Sequence, residues 1–202
     1  MKLFGHPDSG HAFKVRLMLR VADIAHDYEC IDIFAPRESR PAEFRHHATW
    51  GEVPLLLDDG IAYAQSNAIL VHLAQRCGGW GAQDPRTLQQ CLEWLMWEAN
   101  KIGMCLPQLR ADKLFSDSRL APAARDYLLA RYQSDVATLS DRLTDTGAFI
   151  LGSAPTIADF SICGYLVHAQ DADVDVPAAV ERWLARIRDL SGWQPPQQLL
   201  AV

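Results

Sequence analysis

Apolar and polar positions change their period several times along the first 75 of the 202 residues, and then settle into one period. Lys2–Gly5 reads as a short strand. Ala12–Asp23 is built of helix formers, with apolar Phe13, Val15, Leu17, Met18, Leu19 and Val21. Tyr28–Ile33 is rich in strand formers. Pro36–Trp50 is polar and interrupted by Pro36 and Pro41, so it predicts only a short irregular helix. Leu55–Leu57 and Ile61–Ala64 flank Asp59-Gly60, a pair that accepts the positive φ of a tight hairpin turn. Pro54 has no N–H for a ladder, so it belongs at the start of its strand. Ser66 precedes Ile69, Leu70 and Leu73 and reads as the N-cap of a helix running to about Gln75. The order is βαβ, an irregular helix, then ββα: a parallel unit extended by an antiparallel hairpin.

This order predicts an α/β, thioredoxin-like N-terminal domain over residues 1–76. A linker over 77–87 follows, rich in glycine and containing Pro85. From residue 88 to 202 the pattern is helical throughout, predicting an all-α C-terminal domain. Leu88–Arg110 keeps a period near 3.6 through Leu88, Cys91, Leu92, Leu95, Met96, Ala99, Ile102 and Leu106. Ala121–Leu143 and Pro177–Leu190 repeat that pattern. Between them, Thr156 and Asp159 form a capping-box variant in front of the nearly all-apolar run Ile157, Phe160, Cys163, Leu166 and Val167. Asp159 is therefore read as a structural carboxylate of a buried central helix.

Composition narrows the function classes. At 49% hydrophobic and 22% charged residues the chain is globular, and a net charge of −6 argues against nucleic acid as a partner. No apolar run approaches the roughly 20 residues that span a bilayer, and no signal-peptide core precedes the first strand, so a cytoplasmic protein without a membrane partner is expected. The five cysteines (Cys30, Cys77, Cys91, Cys105, Cys163) include no Cys-x-x-Cys pair. They predict reduced, mostly buried thiols and no metal site. None lies near the turn between the first strand and helix, which argues against cysteine-based thiol exchange.

Two places carry candidate chemistry. Gln65 and Ser66 open a helix whose free N–H groups and dipole favour a carboxylate. Ser9, between the first strand and the first helix, has two readings: an N-cap, or an oxygen aimed with helix N–H groups at a ligand.

Val53-Pro54 before the hairpin, Gln65-Ser66 before the third helix, a Gly-rich linker, a helical half and Thr156-Ile157-Ala158-Asp159 together resemble the cytosolic glutathione S-transferases. The likeness covers residues 1 to about 195. Ser9 followed by Lys14 and Val15-Arg16-Leu17 is similar to the serine-type classes, in the manner of a theta-, phi- or zeta-like bacterial member. The resemblance implies glutathione as co-substrate and no metal. Pro54 would be cis, Val53 would pair with the cysteinyl unit, and Gln65 and Ser66 would hold the γ-glutamyl end. Ser9 would be catalytic, donating a hydrogen bond to the thiol so that the thiolate attacks an apolar electrophile. Arg40 is matched either to the glycyl carboxylate or to a solvated surface position. Glu52 stands where a neutral residue is frequent and brings a negative charge to the same region. His11 replaces a small amide residue, with three readings: thiolate partner, substrate contact, or neither. Phe34, Met104, Trp97 and Phe115 are candidates for the second-substrate pocket or for core and interface. A homodimer across the third and fourth helices is implied, with Trp94 and Trp97 suited to that interface or to the core. The alternative is a glutathione-binding scaffold of the same fold with little catalysis. Dehalogenation or peroxide reduction would use the same thiolate.

Overall fold

The computed structural model describes residues 1–201. Four short strands, β1 (Lys2–Gly5), β2 (Asp27–Cys30), β3 (Leu55–Asp58) and β4 (Ile61–Ala64), form one sheet in the order β2-β1-β3-β4. β1 pairs parallel with β2 and antiparallel with β3, which in turn pairs antiparallel with β4. Asp59 and Gly60 both take positive φ, 49° and 79°, as the hairpin reading requires. Side chains alternate across the sheet. Leu3 and Leu56 join the large core under α1 (Gly10–Val21) and α3 (Ser66–Cys77), while Phe4 and Leu55 meet Phe44 of α2 (Ala42–His47) on the opposite face.

β2 stops at Cys30, short of the Ile33 that its composition predicts. The Asp32 carboxylate accepts the N–H groups of Phe34 and Ala35 at 2.9 and 3.1 Å, turning the chain off the sheet. The expected helix over Leu88–Arg110 is two helices, α4 (Pro85–Asn100) and α5 (Ile102–Leu114), broken at Lys101. At the break Gly103 lies so close to Glu98 that an added Cβ would sit 2.6 Å from its carboxylate. α6 (Pro122–Thr146), α7 (Ile157–Leu166), α8 (Ala178–Arg188) and α9 (Pro196–Leu199) complete the helical half.

Every residue of α7 is buried, as its apolar sequence predicts. Asp159 anchors the helix with four bonds: from the N–H groups of Ile150 (3.0 Å) and Thr156 (2.8 Å), the Thr156 hydroxyl (3.1 Å) and the Trp183 indole (2.9 Å). α7 packs directly on α1 through glycines. A Cβ on Gly10 would meet the Gly164 carbonyl at 2.6 Å, and one on Gly164 the Gly10 carbonyl at 2.8 Å. That backbone approach sets the helical half against the start of α1, where the candidate chemistry lies.

Candidate functional site

A cleft of about 510 Å³ opens where the β1–α1 turn, the segment before β3 and the start of α3 converge. Ser9, His11, Arg40, Glu52, Val53, Pro54, Gln65 and Ser66 all line it, joined by Asp8, Trp50 and Tyr165. Phe34 and Met104 are not in the lining. Phe34 is exposed and makes edge-on and tilted ring contacts with His6 and Phe115, with centroids at 5.5 and 5.4 Å, while Met104 packs half-buried against the helical core.

Ser9 is the N-cap of α1, as the first of its two readings expects. Its Oγ accepts the Ala12 N–H at 3.1 Å, capping α1, and donates to no group among the described residues. An oxygen that accepts from the backbone keeps its own proton to donate. The peptide joining Asp8 to Ser9 is held at both ends. The Ser9 N–H donates to the His6 carbonyl at 3.0 Å, and the Asp8 carbonyl accepts from Arg110 Nη1 at 2.8 Å.

Across the cleft the Val53–Pro54 peptide is cis. Gln65, not Ser66, is the N-cap of α3, with φ 64° and ψ 113°. That backbone is costly for a residue with a side chain, and it makes Ser66 the first helical residue. No side chain among the described residues caps this helix, so its first-turn N–H groups, beside the cleft that Gln65 and Ser66 line, lack intrahelical acceptors. The Gln65 amide reaches Glu52 at 3.4 Å.

His11 lies with its ring centroid 4.9 Å from that of Tyr165 and its Nδ1 3.4 Å from Ser66 Oγ. Burial and the nearby Lys14 ammonium push its pKa down to about 4, against a smaller upward pull from Glu98. The imidazole is thus neutral at pH 7 and offers a donor and an acceptor, not a charge. Burial pushes the Tyr165 hydroxyl up to about 12, so it too is neutral.

Arg40 spends its guanidinium on the protein. It donates to the carbonyls of Gly51 (2.6 Å), Ile33 (2.9 Å) and Ala35 (3.2 and 3.3 Å), tying the loop after β2 to the segment that carries Glu52 and Val53. Lys14, the basic residue of the serine-type spacing, is fully buried below the cleft. Its Nζ donates to Glu98 at 3.0 Å and Asn67 at 2.8 Å, linking α1, α3 and α4, and Ser161 of α7 joins the same pair. No cysteine lines the cleft: Cys91, Cys105 and Cys163 are buried, Cys30 is half-buried on β2, and Cys77 is exposed at the end of α3. Among the described residues, no group of three or more His, Cys, Asp or Glu could hold a metal, and no helix is long and apolar enough to cross a membrane.

Comparison with known proteins places this geometry. The family described as glutathione S-transferase, N-terminal domain matches residues 8–76, and its C-terminal domain counterpart matches residues 108–193. The chain belongs to the glutathione S-transferase family. Among its relatives is the disulfide-bond oxidoreductase YfcG of Escherichia coli (strain K12), 28% identical over 198 residues, covering 92% of this chain and 88% of that protein. A maleylacetoacetate isomerase of Rhizobium meliloti (strain 1021) is 25% identical over 187 residues, covering 87% and 84%. A glutathione S-transferase crystal structure from Xanthobacter autotrophicus Py2 superposes with TM-score 0.84 over 99% of both chains, at 27% identity. The family members with a glutathione S-transferase fold thus include a transferase, an oxidoreductase and an isomerase by name, and the chemistry must be argued from the cleft.

Asp8, Tyr165 and Arg110 were not legible as site residues in the sequence. Tyr165 carries the one sequence hint, a polar-tipped ring in a nearly all-apolar run.

Proposed function

We propose that the protein binds glutathione in this cleft and activates its thiol for attack on an apolar electrophile, as a serine-type glutathione transferase. In this reading the Val53 backbone pairs with the cysteinyl unit. Gln65, Ser66 and the free N–H groups of α3 receive the γ-glutamyl carboxylate, for which a helix N-terminus is suited. Glu52 offers an acceptor for the ligand's ammonium group. Arg40 acts by holding the Val53 segment in place.

The observation that carries the reading is the state of Ser9 Oγ. It accepts from Ala12 and retains a proton beside a cleft that contains no protein thiol. A free thiol with pKa about 8.5 is only a few per cent thiolate at pH 7. A hydrogen bond donated by Ser9 to sulfur, with the dipole of α1 behind it, favours the anion. A fall of ~1–2 pH units requires about 1.4–2.7 kcal/mol, within the range of one charge-assisted bond and a helix terminus. Ser9 stays neutral throughout, and the thiol proton passes to solvent. The neutral His11 is placed to contact the ligand without competing as a cation.

A second reading, reduction of disulfides by the same thiolate, is favoured by the name of the relative YfcG and by the absence of cysteine from the cleft, which would leave glutathione to supply every thiol. A binding protein with little catalysis is the third. Calorimetry with glutathione, followed by turnover of an aryl halide and of a small dialkyl disulfide, separates them. Binding with aryl-halide turnover is the expected result. Binding with disulfide turnover alone selects the second reading, binding without turnover the third, and no binding refutes all three.

A further inference from the structure

Arg110 lies in α5, 102 residues from the turn that it touches. Its side chain is 7% exposed, and its three nitrogens divide between two elements. Nη1 donates to the Asp8 carbonyl at 2.8 Å, Nε donates to Asp171 Oδ2 at 2.9 Å, and Nη2 stands 3.6 Å from the Asp8 carboxylate. Asp171, in the short 3₁₀ turn Ala169–Ala172, is also 3.2 Å from His168 Nδ1. The guanidinium therefore clips the peptide immediately before Ser9 to the helical half of the molecule.

The electrostatics favour geometry over charge as the role of this group. Arg110 sits between the carboxylates of Asp8 and Asp171, while burial and the neighbouring guanidinium hold His168 below its ordinary value. The local sum is no more positive than zero, so the cluster offers little attraction to a thiolate. What it supplies is a fixed peptide plane. With the Ser9 N–H on the His6 carbonyl and the Asp8 carbonyl on Arg110, the Asp8–Ser9 peptide cannot rotate without losing a buried, charge-assisted bond. That plane fixes the position of the Ser9 Cα, from which the bond from the Ala12 N–H sets the direction of Oγ.

We propose that Arg110 is a positioning residue that, braced by Asp171, fixes the Asp8–Ser9 peptide so that the serine hydroxyl is aimed at the ligand sulfur. This rests on the reading of Ser9 given above. A displacement of about 1 Å at such a group is enough to cost on the order of a hundredfold in rate.

The test is the pH titration of thiolate absorbance for bound glutathione in wild type, Arg110→Met, Arg110→Lys, Ser9→Ala and the Ser9→Ala/Arg110→Met double variant. Arg110→Met should raise the thiol pKa by about one pH unit, a roughly tenfold loss of thiolate at neutral pH, and lower kcat while KM for glutathione changes less than about twofold. Arg110→Lys, which keeps the charge but cannot bridge Asp8 and Asp171 with a fork, should resemble Arg110→Met. It also serves as the folded comparison should the methionine variant fail to fold. In the Ser9→Ala background, Arg110→Met should have no further effect on the thiol pKa, because its influence passes through the serine. A folded Arg110 variant with a wild-type thiol pKa overturns the proposal while leaving the role of Ser9 standing, as does an additive effect in the double variant. A wild-type protein that leaves the bound thiol at its free value overturns both.

Discussion

Replacing His11 by Asn removes one imidazole from the floor of the cleft, and its consequence is a change in how stability responds to acid. The folded protein holds His11 at about 4, against an ordinary value of 6.5, because burial and Lys14 penalise the imidazolium. Between those values the unfolded chain binds a proton that the folded protein refuses, so stability rises with pH across this window and is fully present above about 6.5. The shift of about 2.5 pH units corresponds to about 3 kcal/mol lost by the time pH has fallen below 4, of which about 2 kcal/mol is already gone at pH 5. Urea unfolding at pH 7.5 and pH 5 measures this directly. His6, His26 and His168 are lowered in the same direction, chiefly by burial, and their contributions cancel when variant and wild type are compared. Wild type should lose about 2 kcal/mol more than His11→Asn over that interval. Parallel losses in the two proteins would refute the assignment of a neutral, desolvated His11, and with it the view that the cleft around Ser66 carries no histidine cation.

Other consequences follow from the buried polar groups. Glu98→Leu strands the Lys14 ammonium without its carboxylate and should cost about 3–5 kcal/mol in urea unfolding, and adding Lys14→Met should recover at least half of that loss. Asp159→Ala leaves the N–H groups of Ile150, Thr156 and Trp183 buried without an acceptor. At about 1–3 kcal/mol for each, a loss of at least ~3 kcal/mol is expected by the same measurement. Arg40→Ala releases the carbonyls of Ile33, Ala35 and Gly51 and should weaken glutathione binding about tenfold by calorimetry, as for loss of a hydrogen bond to a charged group. Arg40→Lys should do no better, since a point charge cannot span those carbonyls, whereas wild-type affinity in that variant would assign Arg40 to direct ligand contact.

Structure specified by neighbouring residues shows in the chain, and structure that depends on distant residues does not. The Asp59-Gly60 turn, the Thr156–Asp159 cap and the apolar run of α7 each depend on residues a few positions apart, and each is present. The break at Lys101 was hidden because apolar periodicity continues unbroken through Leu95, Ile102, Cys105 and Leu106. At the break Gly103 closes on Glu98, whose carboxylate is held by Lys14, 84 residues away. Lys14 itself was recognisable as part of a spacing but not as a buried ion. Ser66 resembled an N-cap by residue type, whereas the positive φ of Gln65 moves the cap back by one position. Ser9, Pro54 and Gln65-Ser66 were legible because they sit at element boundaries with their own turn chemistry, whereas Val53, Arg40, Glu52 and His11 were named only through the family resemblance. Tyr165 reaches the cleft only through the Gly10–Gly164 approach, and Arg110 reaches the turn before Ser9 only through the packing of α5, neither of which any local pattern encodes.

The central claim is that Ser9 turns a bound thiol into a thiolate. Titrating the thiolate absorbance of glutathione bound to wild type and to Ser9→Ala tests it most directly. Wild type should show a thiol pKa ~1–2 pH units below the free value, returning most of the way in Ser9→Ala with glutathione affinity nearly unchanged. An equal thiol pKa in the two proteins would contradict it.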